Sequence, residues 1–208
     1  MQHDFILLDR SGSMEGKWSE TLGAVNGYVK KLADDKVDTG VTLAVFDAQD
    51  RNLDYVVLRD RITPTTWKPV DSNEVSPRGY TPLNDAIGKL VKQAQAGFNG
   101  VQYEKVAILI VTDGHENHSK EVTHAQAKNL LNECRAKGWQ VIFIGADFDN
   151  QAQATSYNNA AAATLSSIPV AAMAATMSYT AGKRGLYGAT GQSINFSDEE
   201  KEELRKTS

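Results

Sequence analysis

Val106–Val111 is a run of six apolar residues with no polar interruption, closed by Thr112-Asp113-Gly114. It is too short for a core helix and does not alternate, so it cannot be a strand with one face in water. A strand covered on both faces fits it, and such strands belong to parallel sheets held between helices. Phe5–Leu8, closed by Asp9, has the same character, as do Val41–Phe46 and Trp139–Ile144.

Helical stripes separate these runs. Trp18, Leu22, Val25, Val29 and Leu32 share one face, ending near Asp34-Asp35. Leu83, Ile87, Leu90, Val91, Ala94 and Phe98 form a second stripe ended by Gly97–Gly100, and Ala127, Leu130, Leu131 and Cys134 a third stopped by Gly138. Leu53–Leu58 follows Val41–Phe46 after only a polar turn, a hairpin spacing that makes it an antiparallel edge. Asp60–Tyr80, with three prolines, reads as a long surface loop containing at most one helical turn. The expected fold is therefore α/β: a doubly wound, mainly parallel six-stranded sheet with one antiparallel edge strand and helices on both faces.

The last third is expected to hold a short helix over Gln151–Asn158, a final strand over Ala162–Ser166 and an Ala/Met-rich helix over Pro169–Ala181. Gly182–Gly191 contains four glycines and reads as a flexible connection. Ser197 followed three residues later by Glu200 is a capping box opening a short charged helix. The division is one domain over residues 1–186, then a glycine-containing connection and C-terminal helix over 187–208.

Composition excludes several classes. With 208 residues, 41% hydrophobic, the chain can bury a sizeable core without crosslinks. The single cysteine, Cys134, rules out an internal disulfide and is expected to be a buried thiol in a reducing compartment. The net charge of −4 is well mixed, with no basic stripe for nucleic acid. The apolar run near the amino terminus is too short for a signal peptide or a membrane span. The expectation is a cytoplasmic chain, or one in the host cytoplasm if viral, without nucleic-acid or membrane partners and with an open oligomeric state.

In doubly wound sheets ligands collect at the carboxyl ends of strands. Asp9-Arg10-Ser11-Gly12-Ser13 follows the first strand, Asp113 follows the central one, and Gly79-Tyr80-Thr81-Pro82-Leu83 opens the second helix. Asp9, Ser11, Ser13, Thr81 and Asp113 together offer five hard oxygen ligands, with Gly12 expected to permit a bend that a side chain would obstruct. Neutral hydroxyls with carboxylates suit Mg²⁺, with Mn²⁺ or Ca²⁺ as alternatives. If the hydroxyls bind directly and the two aspartates through water, the ion keeps much of its charge and seeks a carboxylate from a partner protein, an Asp or a Glu. The competing local reading is that Asp9, Ser11 and Ser13 only cap the first helix.

DRSGSM, GYTPLNDA and ILIVTDG, in this order, resemble the three-part metal ion-dependent adhesion site of von Willebrand factor A domains, with the match running from about Gln2 to Lys183. The resemblance implies direct metal contacts from Ser11, Ser13 and Thr81 and mainly water-mediated ones from Asp9 and Asp113. It implies a non-enzymatic, divalent-cation-dependent protein-binding module, in the style of small bacterial and bacteriophage members. A movable C-terminal helix is a further property of the family. Asp85 is expected either to hold a metal-bound water or orient Thr81, or to serve as a first-turn helix acid. Arg10, Met14, Arg78, Tyr80, His115 and Glu116 are expected around the rim, where side chains select the partner.

Three alternatives stand beside this reading. Phe5–Asp9, Val111-Thr112 and Gly145–Asp149 also resemble haloacid dehalogenase-like Mg²⁺-dependent phosphatases, with Asp9 as nucleophile. That chemistry, however, needs a second Asp where this chain has Ser11. His115, His118 and His124 suggest zinc, but HENH lacks the helical i, i+4 spacing. A structural subunit with a purely stabilising ion is the third.

Overall fold

The computed structural model describes residues 1–50, 52–113, 116–146, 156–157 and 163–206. Six strands form one sheet: β1 (Gln2–Asp9), β2 (Gly40–Gln49), β3 (Asn52–Ile62), β4 (Lys105–Thr112), β5 (Gln140–Ala146) and β6 (Thr164–Ile168), in the order β3-β2-β1-β4-β5-β6. All neighbours are parallel except β2 and β3, a hairpin that puts β3 on an edge as an antiparallel strand.

The apolar runs are continuous because each strand serves two cores. In β1, Ile6 and Leu8 point to one face with α1 (Trp18–Asp34) and α4 (Met173–Thr190), while Phe5 and Leu7 point to the other with α2 (Leu83–Ala96) and α3 (His124–Ala136). The chain from β1 moves to β2 on one side and later returns to β4 on the other. The crevice between the carboxyl ends of β1 and β4 is thus a topological switch point. Asp9 and Asp113 stand at these ends.

The 60–80 segment contains one short 3-10 turn, Pro64–Thr66, and β3 runs further than expected, to Ile62. Phe98 lies beyond α2, in a bridge with Val101, because Gly97 at φ 67° has already turned the chain. The helix expected over Gln151–Asn158 falls, apart from Ser156 and Tyr157, outside the described residues.

The expectation for the tail is corrected. Gly182–Gly191 is not a flexible connection: α4 continues through Gly182, Gly185 and Gly188 to Thr190 and ends at Gly191 in the left-handed region. The residue 186 boundary therefore falls inside a helix. Arg184 holds this part of the helix in place. It is fully buried, donates to Asp4 Oδ1 of β1 at 2.5 Å and faces Thr39, while Asp4 Oδ2 accepts the Tyr28 hydroxyl. A side chain at Gly188 would meet Gln2, so glycine lets the helix lie close against the start of β1. The final helix, α5 (Asp198–Lys206), opens with the expected Ser197–Glu200 capping box. It buries Leu204, and Arg205 donates to the Ser166 carbonyl.

Cys134 is a free, buried thiol whose pKa burial pushes up to about 11, as expected of an inert packing cysteine. Among the described residues no helix is long and apolar enough to cross a membrane.

Candidate metal centre

The loop after β1 turns at Ser11 into a 3-10 turn, Gly12–Lys17, that leads into α1. Ser11 occupies the N-cap position, yet its side chain makes no capping hydrogen bond. Its hydroxyl lies 3.1 Å from that of Ser13, and the Ser13 hydroxyl donates to Asp113 Oδ1 at 2.7 Å across about half the chain. The local capping reading therefore fails: the two hydroxyls converge with a distant carboxylate instead of closing the helix end.

Asp9 is fully buried beneath this loop. Its Oδ1 accepts the Ser11 N–H at 2.8 Å and its Oδ2 the Thr112 hydroxyl at 2.6 Å, tying the end of β1 to the end of β4. Burial pushes its pKa up to about 6, a rise that the hydrogen bonds from Thr112 and Ser11 oppose and the neighbouring Asp113 charge assists. The phosphatase reading needs this carboxylate to attack a phosphoryl group, whereas it is buried and both its oxygens accept protein hydrogen bonds. The acids Asp147 and Asp149 of that reading lie outside the described residues.

Thr81 stands on the loop that runs beside the Ser11 loop. The Gly12 N–H donates to the Gly79 carbonyl at 3.1 Å and the Arg78 N–H to the Arg10 carbonyl at 2.7 Å, which sets the two loops side by side. Thr81, two residues on, lies within roughly 7 Å of Gly79 by chain length alone. It is buried, and its backbone N–H and carbonyl are both bonded to Asn117, a residue of the loop after β4. Backbone contacts thus join the Gly79–Thr81 stretch to the Ser11 loop on one side and to the loop after β4 on the other.

Gly12 is not needed for the reason expected. A Cβ there would meet only the Gly79 carbonyl, at an ordinary 3.5 Å, and its φ is not positive. Gly79 is the constrained glycine: its φ is 68°, and a Cβ would sit 2.2 Å from the Ala48 carbonyl oxygen.

Several expected rim residues face inward. Met14 is fully buried. Arg10 is buried too, its Nε donating to Asp47 Oδ1 at 2.8 Å and its guanidinium to Asp54 at 2.9 Å. Arg78 joins the same pair of acids, at 3.0 Å from Asp47 Oδ2 and in contact with Asp54. The two arginines and two aspartates clamp the β2 end to both site loops.

Glu116 accepts from Ser119 and from the backbone N–H groups of Asn84, His118 and Ser119, so it is a staple between the β4 loop and α2. Asp85 lies, as one of its two readings expected, in the first turn of α2. Its carboxylate accepts the backbone N–H groups of Lys120, Glu121 and Val122 from the facing loop. Tyr80 does stand at the rim, 57% exposed and stacked on His118 with centroids 4.7 Å apart. His115 lies outside the described residues.

The sequence reading passed over Lys17, Asn117 and Asp47. Nothing in their local pattern marks them, because each acts through a contact distant in the chain.

As a donor set, two hydroxyls and a carboxylate fit a small hard cation. Among the described residues, no three His, Cys, Asp or Glu side chains are grouped to hold a metal, and His115 of the zinc alternative lies outside those residues.

The sequence profile of the von Willebrand factor type A domain matches residues 5–181. No curated protein sequence matches the chain. Among solved structures, the pilus adhesin SpaC from Lactobacillus rhamnosus GG, in its open conformation, is similar with a TM-score of 0.65 at 12% identity, over 88% of this chain and 30% of that one. Proximal thread matrix protein 1 from the mussel byssus gives 0.60 at 14% identity, over 86% and 46%. The manganese-loaded TRAP protein of Plasmodium vivax gives 0.53 at 17% identity, over 75% and 62%. This chain thus spans less than two thirds of each of these larger chains, and the likeness concerns the fold. With that fold observed and most of its length matched by the family's profile, the chain belongs to the von Willebrand factor type A domain family.

Proposed function

We propose that this domain is a protein-binding module that works through one divalent cation. Ser11, Ser13 and Thr81 would contact the ion by their hydroxyls, with Asp9 and Asp113 holding it mainly through water. When bound, the ion supplies a Lewis-acidic position that accepts a carboxylate oxygen from an Asp or Glu of a partner protein. Mg²⁺ suits this donor set best, with Mn²⁺ or Ca²⁺ able to substitute.

The observation that carries the reading is the Ser11–Ser13–Asp113 convergence, in which the hydroxyl best placed to cap a helix turns toward the switch point instead. Asp9 supports it differently. With both oxygens accepting from protein donors, Asp9 aligns the loop, as expected of a group that reaches an ion mainly through water. Exposed Tyr80, backed by His118, offers an aromatic contact for the partner beside the ion. The fold is shared with a pilus adhesin and with a TRAP protein in manganese-loaded form, which agrees with adhesion through a cation. We place the domain outside catalysis, a reading supported by the burial of Asp9, the one residue with a nucleophilic role in the phosphatase alternative.

The test is retention of proteins from the source cell on immobilised chain, in Mg²⁺ and in EDTA, with Ser11→Ala as control. Recognition predicts a partner lost both in EDTA and on the variant. Retention unchanged by either would refute it. Mg²⁺ binding by calorimetry with no cation-dependent partner would leave the ion as a structural one.

A further inference from the structure

Lys17 ends the 3-10 turn that begins beside Ser11. Its ammonium lies 2.5 Å from Asp113 Oδ2, while the other carboxylate oxygen, Oδ1, accepts the Ser13 hydroxyl. One turn of chain therefore feeds both the proposed ligand and a fixed positive charge to the same carboxylate. The pair is asymmetric: the Asp113 side chain is 1% exposed and that of Lys17 is 21%. The carboxylate cannot turn to water, whereas the ammonium, on its flexible four-carbon stem, can.

We propose that Lys17 is the resident counter-charge of Asp113 and sets the affinity of the site by competing with the divalent ion for that carboxylate. The inference rests on the reading above that Ser11, Ser13 and Asp113 hold such an ion. An ion beside Asp113 Oδ1 and an ammonium on Oδ2 repel one another across one buried carboxyl group, and repulsion at that range is only weakly screened. Ion binding therefore displaces or weakens the Lys17 contact, and the energy of that contact is subtracted from the affinity. The displaced ammonium stays at the mouth of the site, where it adds to the attraction for an acidic partner. The same residue thus weakens hold on the ion and favours the carboxylate that completes its shell.

The test is titration of the metal-free chain with Mn²⁺, counting free ion by electron paramagnetic resonance, for the wild type, Lys17→Met and Lys17→Arg. Loss of one charge-assisted hydrogen bond and of the repulsion predicts about tenfold tighter Mn²⁺ binding for Lys17→Met. Lys17→Arg, which keeps the charge, is expected within about threefold of the wild type. Melting gives the second readout. Metal-free Lys17→Met should melt below the wild type, because Asp113 has lost its charged partner and keeps only the Ser13 hydroxyl, and the two should melt together when saturated with Mn²⁺. A merely structural lysine would lower both melting points equally and leave the Kd unchanged, which overturns the proposal. Equal Kd values for wild type and Lys17→Met would remove Lys17 from the account but leave the cation site standing. Absence of Mn²⁺ binding in every form would refute the site itself, and the Lys17 role with it.

Discussion

Gly79→Ala and Gly12→Ala make a matched pair, because the two glycines face each other across the site loops and differ in what a methyl group would meet. At Gly79 an alanine must hold φ at 68°, which costs about 1–2 kcal/mol for an L residue. Its Cβ would also lie 2.2 Å from the Ala48 carbonyl oxygen and 2.9 Å from the carbon, backbone atoms that cannot swing aside. Relief requires opening the Ala48–Tyr80 bridge, whose two hydrogen bonds are both 3.0 Å and contribute about 1 kcal/mol each. The expected loss is about 3–4 kcal/mol, which lowers the melting temperature of a domain this size by roughly 10 °C. Because Thr81 rides on this loop, Mn²⁺ affinity should fall together with stability. At Gly12 the nearest atom would be 3.5 Å away and φ is unexceptional, so Gly12→Ala should change stability by no more than about 0.5 kcal/mol. Scanning calorimetry and Mn²⁺ titration of both variants check this. A Gly12→Ala as damaging as Gly79→Ala, or a silent Gly79→Ala, would refute the loop geometry.

Two further expectations concern the lower end of the sheet. Arg184→Met leaves Asp4 fully buried with only hydroxyl partners, and breaking such a pair costs about 3–5 kcal/mol, read as a lower denaturant midpoint. An unchanged midpoint would show that the helix is not anchored there. His3 is buried against Phe5 and Tyr103, and burial first, then the charges of Arg61 and Arg184, lowers its pKa to about 3. The unfolded chain takes up a proton near pH 6.5 that the fold refuses, so His3 destabilises the fold increasingly as pH falls from 6.5 toward 3. Between pH 7 and pH 5 the loss is about 2 kcal/mol. His3→Phe should lack this part of the acid dependence, and parallel pH profiles for variant and wild type would contradict it.

The strands were legible because a strand between two helical layers has no polar face to interrupt it, as in Phe5–Leu8 and Val106–Val111. The candidate ligands were legible because each closes such a strand or opens a helix. The tail was misread for a physical reason. Glycine disfavours helix by about 1 kcal/mol per residue, which made Gly182–Gly191 look flexible, but the buried Arg184–Asp4 pair and close packing on β1 override that preference. The rim was misread for another: a charged residue near a site looks exposed until its partner is known. Arg10 turns inward to Asp47, thirty-seven residues away, and Glu116 to the backbone of α2. No local pattern records such long-range pairings, and Lys17 on Asp113 is a third example.

The central claim is that hydroxyls from two separate loops and the Asp113 carboxylate hold one hard cation. Anomalous diffraction from crystals of the chain grown with Mn²⁺ tests it without reference to any partner. The account predicts a single strong peak per chain at direct coordination distance, roughly 2.2 Å, from the Ser11, Ser13 and Thr81 hydroxyl oxygens, lost in Ser13→Ala. A peak elsewhere, or none at the carboxyl ends of β1 and β4 at saturating Mn²⁺, would contradict it.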